Sequence, residues 1–273
     1  MDLQSVETYL RPTHLAEVKG WQADWAWLAG GTWIFSQTQP QVKTLVDMQG
    51  LGWSELEVTP AGLAIGATCV MSQLLRVAYP ATWPAMKGLQ CAVHELASFK
   101  IQNVATVAGN LCLALPASAF APVMVALGAS YDISSLEGGS YRVAALDFQI
   151  GAKRTILKPG EVLRRIWISQ ESLTWRVNYR RICVATAGLA VSIVVAAHNP
   201  KTGQVRFGIG ASVASPRLIE ATAVPALTDL RDILEAAIPL TDFLEDSQAS
   251  ALYRRHVTQI LMQRALAEFG IGS

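Results

Sequence analysis

Two loops built from small residues are the segments of this sequence best suited to chemistry. The first reads AGGTW at 29–33, and the second reads TVAGN at 106–110. Each follows an extended or strand-like segment, and each offers consecutive backbone N–H groups with little side-chain bulk. Backbone N–H groups gathered in this way can stabilise a pyrophosphate without a bound cation. We therefore interpret both loops as candidate phosphate-binding segments.

Each loop taken alone is a weak signal, because a Gly-Gly pair more often marks only a turn. Neither loop contains the Gly-x-Gly-x-x-Gly pattern before a helix, so a Rossmann site is not indicated. The sequence also has no Gly-Lys-Ser/Thr loop of the kind that binds nucleoside triphosphates.

The cysteines and histidines form no catalytic or metal-ligating pattern. They are Cys69, Cys91, Cys112, Cys183, His14, His94, His198 and His256. No two cysteines form a Cys-x-x-Cys pair, so neither an iron–sulfur cluster nor a zinc site is expected within this chain. We interpret the cysteines as small buried hydrophobic residues, and we assign the histidines no catalysis.

The composition favours a cytoplasmic subunit that buries surface against partners. Hydrophobic residues make up 51% of the 273 residues and charged residues 16%, against a usual charged share of about 25%. The long uncharged run at 182–197 is shorter than the ~20 residues of a spanning helix, so it predicts one or two buried strands. No signal peptide is visible at the start. A net charge of +1 gives no reason to expect a nucleic-acid partner.

Hydrophobic periodicity and turn residues predict the elements that position the two loops. A strand broken by Gly30-Gly31 is expected at 26–35, and another is expected to end near Asp47. Further strands are expected in a hairpin at 55–67, on both sides of Gly138-Gly139, at 162–168, and in an antiparallel set at 179–210. Helices are expected after a Thr68 cap, at 83–98, from Pro116 to Gly128 and at 227–237. A last helix is expected at 247–269, with Ser247 as its cap. On the last helix, Tyr253, Arg254 and Arg255 are expected to cover or rim an apolar face.

The order of the motifs resembles that of a known family. It runs "LAGGTW", "KIQNVATVAGNL", "LKPGEVLRRIWI" and then "SALYRRHVTQILMQRAL". This succession is similar to the FAD-binding medium subunit of the molybdenum hydroxylases, the family of carbon monoxide dehydrogenase, xanthine dehydrogenase and aldehyde oxidoreductases. The resemblance covers nearly the whole chain.

The resemblance implies an α+β fold with FAD between two subdomains. An FAD-binding α/β region of the vanillyl-alcohol-oxidase-like type would comprise residues 1–58 and 59–170. A small C-terminal domain of antiparallel sheet and helices would comprise residues 171–273. The implied cofactor-binding residues are Ala29, Gly30, Gly31, Thr32, Trp33, Thr106, Val107, Ala108, Gly109, Asn110 and Leu163.

The resemblance also implies a role and partners. The chain would be a flavoprotein electron-transfer subunit beside a large molybdopterin-binding subunit and a small 2Fe-2S subunit, in a dimer of heterotrimers. It would pass electrons from the iron–sulfur clusters through FAD to a final acceptor. The absence of a substrate acid/base constellation fits this division of labour, and it disfavours a free-standing flavin oxidase.

Three positions depart from the family's usual Asn, Ser and Asp: they are Leu113, Leu115 and Ala119. A further departure is Gln102, where the family usually has Arg. These changes imply that one FAD anchor is missing, and they leave a second hypothesis open. In that hypothesis the chain is a structural subunit with weak or lost FAD binding.

Overall fold

The computed structural model describes residues 3–96, 98–185 and 188–270. The strands are β1 Thr8–Leu10, β2 Trp25–Leu28, β3 Thr44–Asp47, β4 Leu56–Thr59, β5 Gly62–Gly66, β6 Ser130–Ser135, β7 Ser140–Ala144, β8 Gln149–Gly151, β9 Arg154–Thr155, β10 Glu161–Ser169, β11 Arg176–Cys183, β12 Ala190–His198, β13 Val205–Gly210 and β14 Arg217–Ala221. The helices are α1 Met86–His94, α2 Phe99–Gln102, α3 Val107–Leu113, α4 Ala121–Ala126, α5 Ala145–Phe148, α6 Gln170–Leu173, α7 Leu230–Ala237 and α8 Ala251–Ala267.

The N-terminal sheet is small and parallel, in the order β1-β3-β2. Its central strand β3 is buried along its length. Asp47 ends that strand, and its carboxylate accepts a hydrogen bond from the Gln49 N–H. Strand β2 leads directly into the loop at 29–33, so the position of this loop is set by the sheet.

A five-stranded antiparallel sheet in the order β4-β5-β10-β6-β7 forms the second layer. Its central strand β10 pairs with β5 on one side and with β6 on the other, where the register shifts between Leu163 and Arg165. Helices α1, α3 and α4 share the main hydrophobic core with this sheet, in which Leu89, Val107 and Ile166 are fully buried.

The C-terminal sheet is an antiparallel meander in the order β11-β12-β13-β14. Every residue of β12 is buried, because alternate side chains enter two cores. Ile193 and Val195 belong to the main core with α4, whereas Val194 and Ala196 pack in a second core with α8. The uncharged run at 182–197 begins at the end of β11 and continues into β12, so the predicted one or two strands are confirmed, and coverage on both faces explains the apolar residues 190–197.

The α+β class and the predicted hairpins are confirmed, but several local predictions are wrong. The strand expected at 26–35 ends at Leu28, and the chain beyond the two glycines forms turns. Thr68 does not cap an α-helix, since the chain forms only a 3₁₀ turn at Met71–Leu75. The predicted helix from Pro116 begins only at Ala121. The last helix is capped by Ser250, not Ser247, because the Ser250 hydroxyl accepts the Tyr253 N–H.

Two further observations bear on the sequence-based expectations. In the described ranges, no helix combines the length and the apolar content needed to cross a bilayer. The four cysteines are free. Cys69 is buried as expected, whereas Cys91, Cys112 and Cys183 are only partly buried, so the expectation is wrong for these three. The division at 58 and 170 stays a prediction.

Candidate functional site

The loop at 29–33 lies against the chain that leads into the second loop. A Cβ placed on Gly30 would lie 2.9 Å from the Val104 carbonyl carbon, 3.0 Å from the Ala105 Cα, and closer still to the Val104 oxygen. Gly31 adopts a φ of 71°, the left-handed region that favours glycine. The two glycines thus allow a turn and a close backbone contact, and this contact brings the two predicted loops together.

The segment predicted as the second loop is the start of a helix. Thr106 is the N-cap of α3, and its hydroxyl accepts the Gly109 N–H at 2.9 Å. The first turn of α3 contains no acidic residue. Burial raises the pKa of the Cys112 thiol on this helix to about 12, so it stays protonated. The helix start therefore presents the positive end of its dipole without a competing negative charge.

Several backbone donors at the meeting point of the loops have no partner. Across the part of the chain that the structure describes, no hydrogen bond uses the backbone N–H of Gly30, Gly31, Thr32 or Ala108. Free N–H groups on a positive-φ turn and at a helix start are the donors that a phosphate group accepts. The arrangement can bind a diphosphate.

Asn110 and Leu163 support the site from behind rather than from within it. The Asn110 side-chain oxygen Oδ1 accepts hydrogen bonds from the Ser118 hydroxyl at 2.6 Å and the Phe120 N–H at 3.4 Å, which ties α3 to the segment that leads into α4. Leu163 is only 1% exposed and packs in the main core with Val107. The other predicted site residues lie at the two loops, and the assignment of all of them to a cofactor stays a prediction.

Sequence reasoning missed Lys153, which lies beside the first loop. Its ammonium is 5.5 Å from the centroid of the Trp33 ring. Its backbone N–H donates to the Ala114 carbonyl at 2.7 Å, and its φ is 56°. The only signal in the sequence is a Lys-Arg pair at 153–154 in a chain with little charge. The position of this pair between α3 and the first loop depends on the tertiary fold, and no local sequence pattern indicates it.

We expect Thr106→Val to lower both stability and FAD affinity. Valine keeps the shape of threonine but removes the hydroxyl that accepts the Gly109 N–H, and loss of such a cap costs about 1 kcal/mol. The start of α3 then frays where the free Ala108 N–H is presented. Thermal melting and an FAD fluorescence titration measure the two effects. Thr106→Ser is the matched control, and unchanged values in Thr106→Val would contradict the role of the cap.

We expect Ala119→Asp to destabilise the chain rather than restore an FAD anchor. Ala119 is 6% exposed and packs in the main core, so a carboxylate there would be buried. The neighbouring Asn110 oxygen and Ser118 hydroxyl already bond to each other. An unpaired buried polar group costs about 1–3 kcal/mol. A melting curve tests this, with the exposed Ala152→Asp as control. Tighter FAD at unchanged stability would contradict it.

Comparison with known proteins identifies the family. A family model described as "FAD binding domain in molybdopterin dehydrogenase" matches residues 4–170. The chain belongs to this family. The matched region is an FAD-binding domain, and FAD is the cofactor of this family of domains. The free N–H groups at the two loops, with no acidic residue in the first turn of α3, fit the diphosphate of FAD.

Relatives of this family differ in how much of their length the chain covers. It is 34% identical over 152 residues to xanthine dehydrogenase/oxidase of Gallus gallus, which is 50% of the chain but only 11% of that relative. It is 23% identical over 206 residues to the nicotine 6-hydroxylase medium subunit of Paenarthrobacter nicotinovorans, covering 70% of each. The chain thus spans about a tenth of the former and most of the latter.

Solved structures share the fold across the whole chain. A chain of CO dehydrogenase from Oligotropha carboxidovorans superposes with a TM-score of 0.83 at 22% identity, covering 98% of both chains. A chain of quinoline 2-oxidoreductase from Pseudomonas putida 86 gives 0.79 at 20% identity, again over 98% of both. At this level of identity the likeness establishes the fold alone.

Proposed function

We propose that this chain is the flavoprotein electron-transfer subunit of a molybdenum hydroxylase-type dehydrogenase in the cytoplasm. It would work beside a large molybdopterin-binding subunit and a small 2Fe-2S subunit, in a dimer of heterotrimers. Bound FAD supplies the step between single-electron carriers and a two-electron acceptor. Oxidation of the primary substrate belongs to the large subunit.

The meeting of the two loops is the observation that carries this proposal. The chain's own part is to bind and orient the cofactor. Gly30 and Gly31 let the first loop approach Val104, and Thr106 fixes the start of α3. The N–H groups gathered there would hold the diphosphate.

A partner surface next to the site supports the proposed complex. Large apolar side chains are exposed on the segments that adjoin the loops: Phe35 at 45%, Phe99 at 69%, Ile101 at 42% and Val104 at 47%. Exposed apolar residues that cluster in this way are typical of protein interfaces. Their position beside the loops favours an assembly in which a partner packs close to the cofactor.

The alternative is a structural subunit of the same complex with weak or lost FAD binding. Leu113, Leu115 and Ala119 motivate it, because they stand where the family usually has polar side chains. Leu113 and Leu115 are partly exposed, and Ala119 is buried. Under this alternative the two loops would be packing elements, and their free N–H groups would bond only to water.

The two functions are separated by the flavin content of the purified complex. We expect that co-expression with the large and small partner subunits yields a complex with one FAD per copy of this chain. The visible spectrum of the complex measures this flavin content. Reduction of that flavin by substrate through the other subunits tests the electron-transfer role. An intact complex without flavin would overturn the proposal and support the structural alternative.

A further inference from the structure

We propose that Lys153 is the cation that binds the diphosphate of FAD, and that Trp33 holds this lysine in place before the cofactor arrives. The inference rests on the proposed function, because it concerns the same site. It assigns direct binding of the cofactor to Lys153 and a positioning role to Trp33, two residues from distant parts of the chain.

The backbone places Lys153 at the edge of the site. The turn between β8 and β9 is fixed to the end of α3 by the hydrogen bond from the Lys153 N–H to the Ala114 carbonyl. The left-handed φ of Lys153 turns the chain at this point. Its ammonium then lies over the ring of Trp33, which is two residues beyond Gly31. The flexible lysine stem allows the ammonium to reach a ligand held by the loop at 29–33.

The charge of Lys153 is available for a ligand. The side chain is exposed, and among the ion pairs of the described residues none includes it. Its contact with Trp33 is a cation–π interaction, which is weak at an exposed site. A hydrogen bond from an ammonium to an anionic oxygen is stronger. Exchange of the indole ring for a phosphate oxygen is therefore favourable.

Lys153 should contribute more to FAD affinity in this chain because Leu113, Leu115 and Ala119 stand where the family usually has polar side chains. These side chains offer no hydrogen bond to the cofactor, so the remaining contacts are backbone N–H groups. Neutral N–H dipoles stabilise a diphosphate less than a full positive charge does at the same distance. Lys153 supplies that charge from its place beside Trp33 in the first loop. This source of affinity is also sensitive to salt, because the lysine is exposed.

The experiment uses the full-length chain stripped of flavin and titrated with FAD at low and high salt, with binding followed by quenching of flavin fluorescence. We expect Lys153→Met to weaken FAD binding about tenfold at low salt and to flatten the salt dependence. Lys153→Arg should keep most of the affinity. Arg154→Met is the matched control, because it removes the adjacent exposed charge, and it should change affinity less than about twofold.

The outcomes separate this inference from the proposed function. If the unaltered chain binds FAD and Lys153→Met binds it equally well, the inference is overturned and the flavoprotein assignment stands. If Arg154→Met weakens FAD binding as much as Lys153→Met does, the inference is also overturned, because any positive charge near the site would then have the same effect. If the unaltered chain binds no FAD, both fail together. Melting curves of all variants confirm that the differences do not come from unfolding.

Discussion

Gly30→Ala is expected to abolish stable retention of FAD. The added methyl group would lie 2.9 Å from the Val104 carbonyl carbon and 3.0 Å from the Ala105 Cα. Both obstacles are backbone, so no side-chain rotation relieves the clash, and the two loops must separate. A diphosphate that needs donors from both loops then loses one set. We expect at least about a hundredfold loss of affinity, the scale on which a displacement of ~1 Å disrupts an aligned site.

The measurement is the ratio of FAD to chain after gel filtration, read from the visible and ultraviolet spectrum. Gly203→Ala is the control: its φ of 77° strains an alanine, but no atom lies within 4 Å of the added Cβ, so in this turn between β12 and β13 it should lower stability without loss of FAD. Gly31→Val should act like Gly30→Ala, since Gly31 has a φ of 71° and the Phe35 ring lies 2.5 Å from the added Cβ position. One FAD per chain in Gly30→Ala would disprove the assignment of this loop.

The hairpins of this fold could be predicted from sequence because their signals are local. The turn at 59–62 and the pair Gly138-Gly139 each separate short runs of alternating apolar residues, and the structure has β4–β5 and β6–β7 there. Strand β12 was predictable for a related reason, since only a strand buried on both faces needs so long an apolar run.

Helix α3 could not be predicted because its stability is not local. Its seven residues include Gly109, which lowers helix propensity. A helix this short is not stable alone, and here it depends on the Thr106 cap and on packing of Val107 and Leu111 in the main core. The same limit applies to Lys153, whose contact with Trp33 exists only after the β8–β9 hairpin and the parallel N-terminal sheet have come together.

The other large effect is expected at Arg254, where the sequence-based expectation of a rim residue is wrong. Its side chain is 1% exposed. The guanidinium donates to both carboxylate oxygens of Asp246 at 2.8 Å, to the Val191 carbonyl at 2.8 Å and to the Ala211 carbonyl at 3.1 Å. One side chain thus joins α8, the start of β12 and the end of β13. Hydrophobic periodicity along the sequence cannot distinguish such a buried arginine from a solvated arginine on the same helix.

The Asp246 carboxylate contributes a dependence on pH. Its pKa is lowered, first by the hydrogen bond from the Gln248 N–H and then by those from Arg254 and the Ala249 N–H. A carboxyl group with a lowered folded-state pKa stabilises the fold above its unfolded pKa of about 4, and this stability is lost as the pH falls through the folded value. Acidification should therefore weaken the anchor at α8.

Arg254→Met is expected to lower the stability of the chain by about 3 kcal/mol or more, because it leaves the carbonyls of Val191 and Ala211 buried without a donor. For a protein of this size the loss corresponds to a melting temperature lower by roughly 6–12 °C.

Arg255→Met is the matched control. Arg255 is partly exposed, and its nearest carboxylate, on Glu235, is 3.6 Å away, so this substitution should change stability by less than about 1 kcal/mol. The variant that remains folded should still bind FAD, because Arg254 lies on α8 and contacts the C-terminal sheet, not the two loops. Selective loss of FAD from Arg254→Met at an unchanged melting temperature would contradict this account and would connect α8 to the cofactor instead.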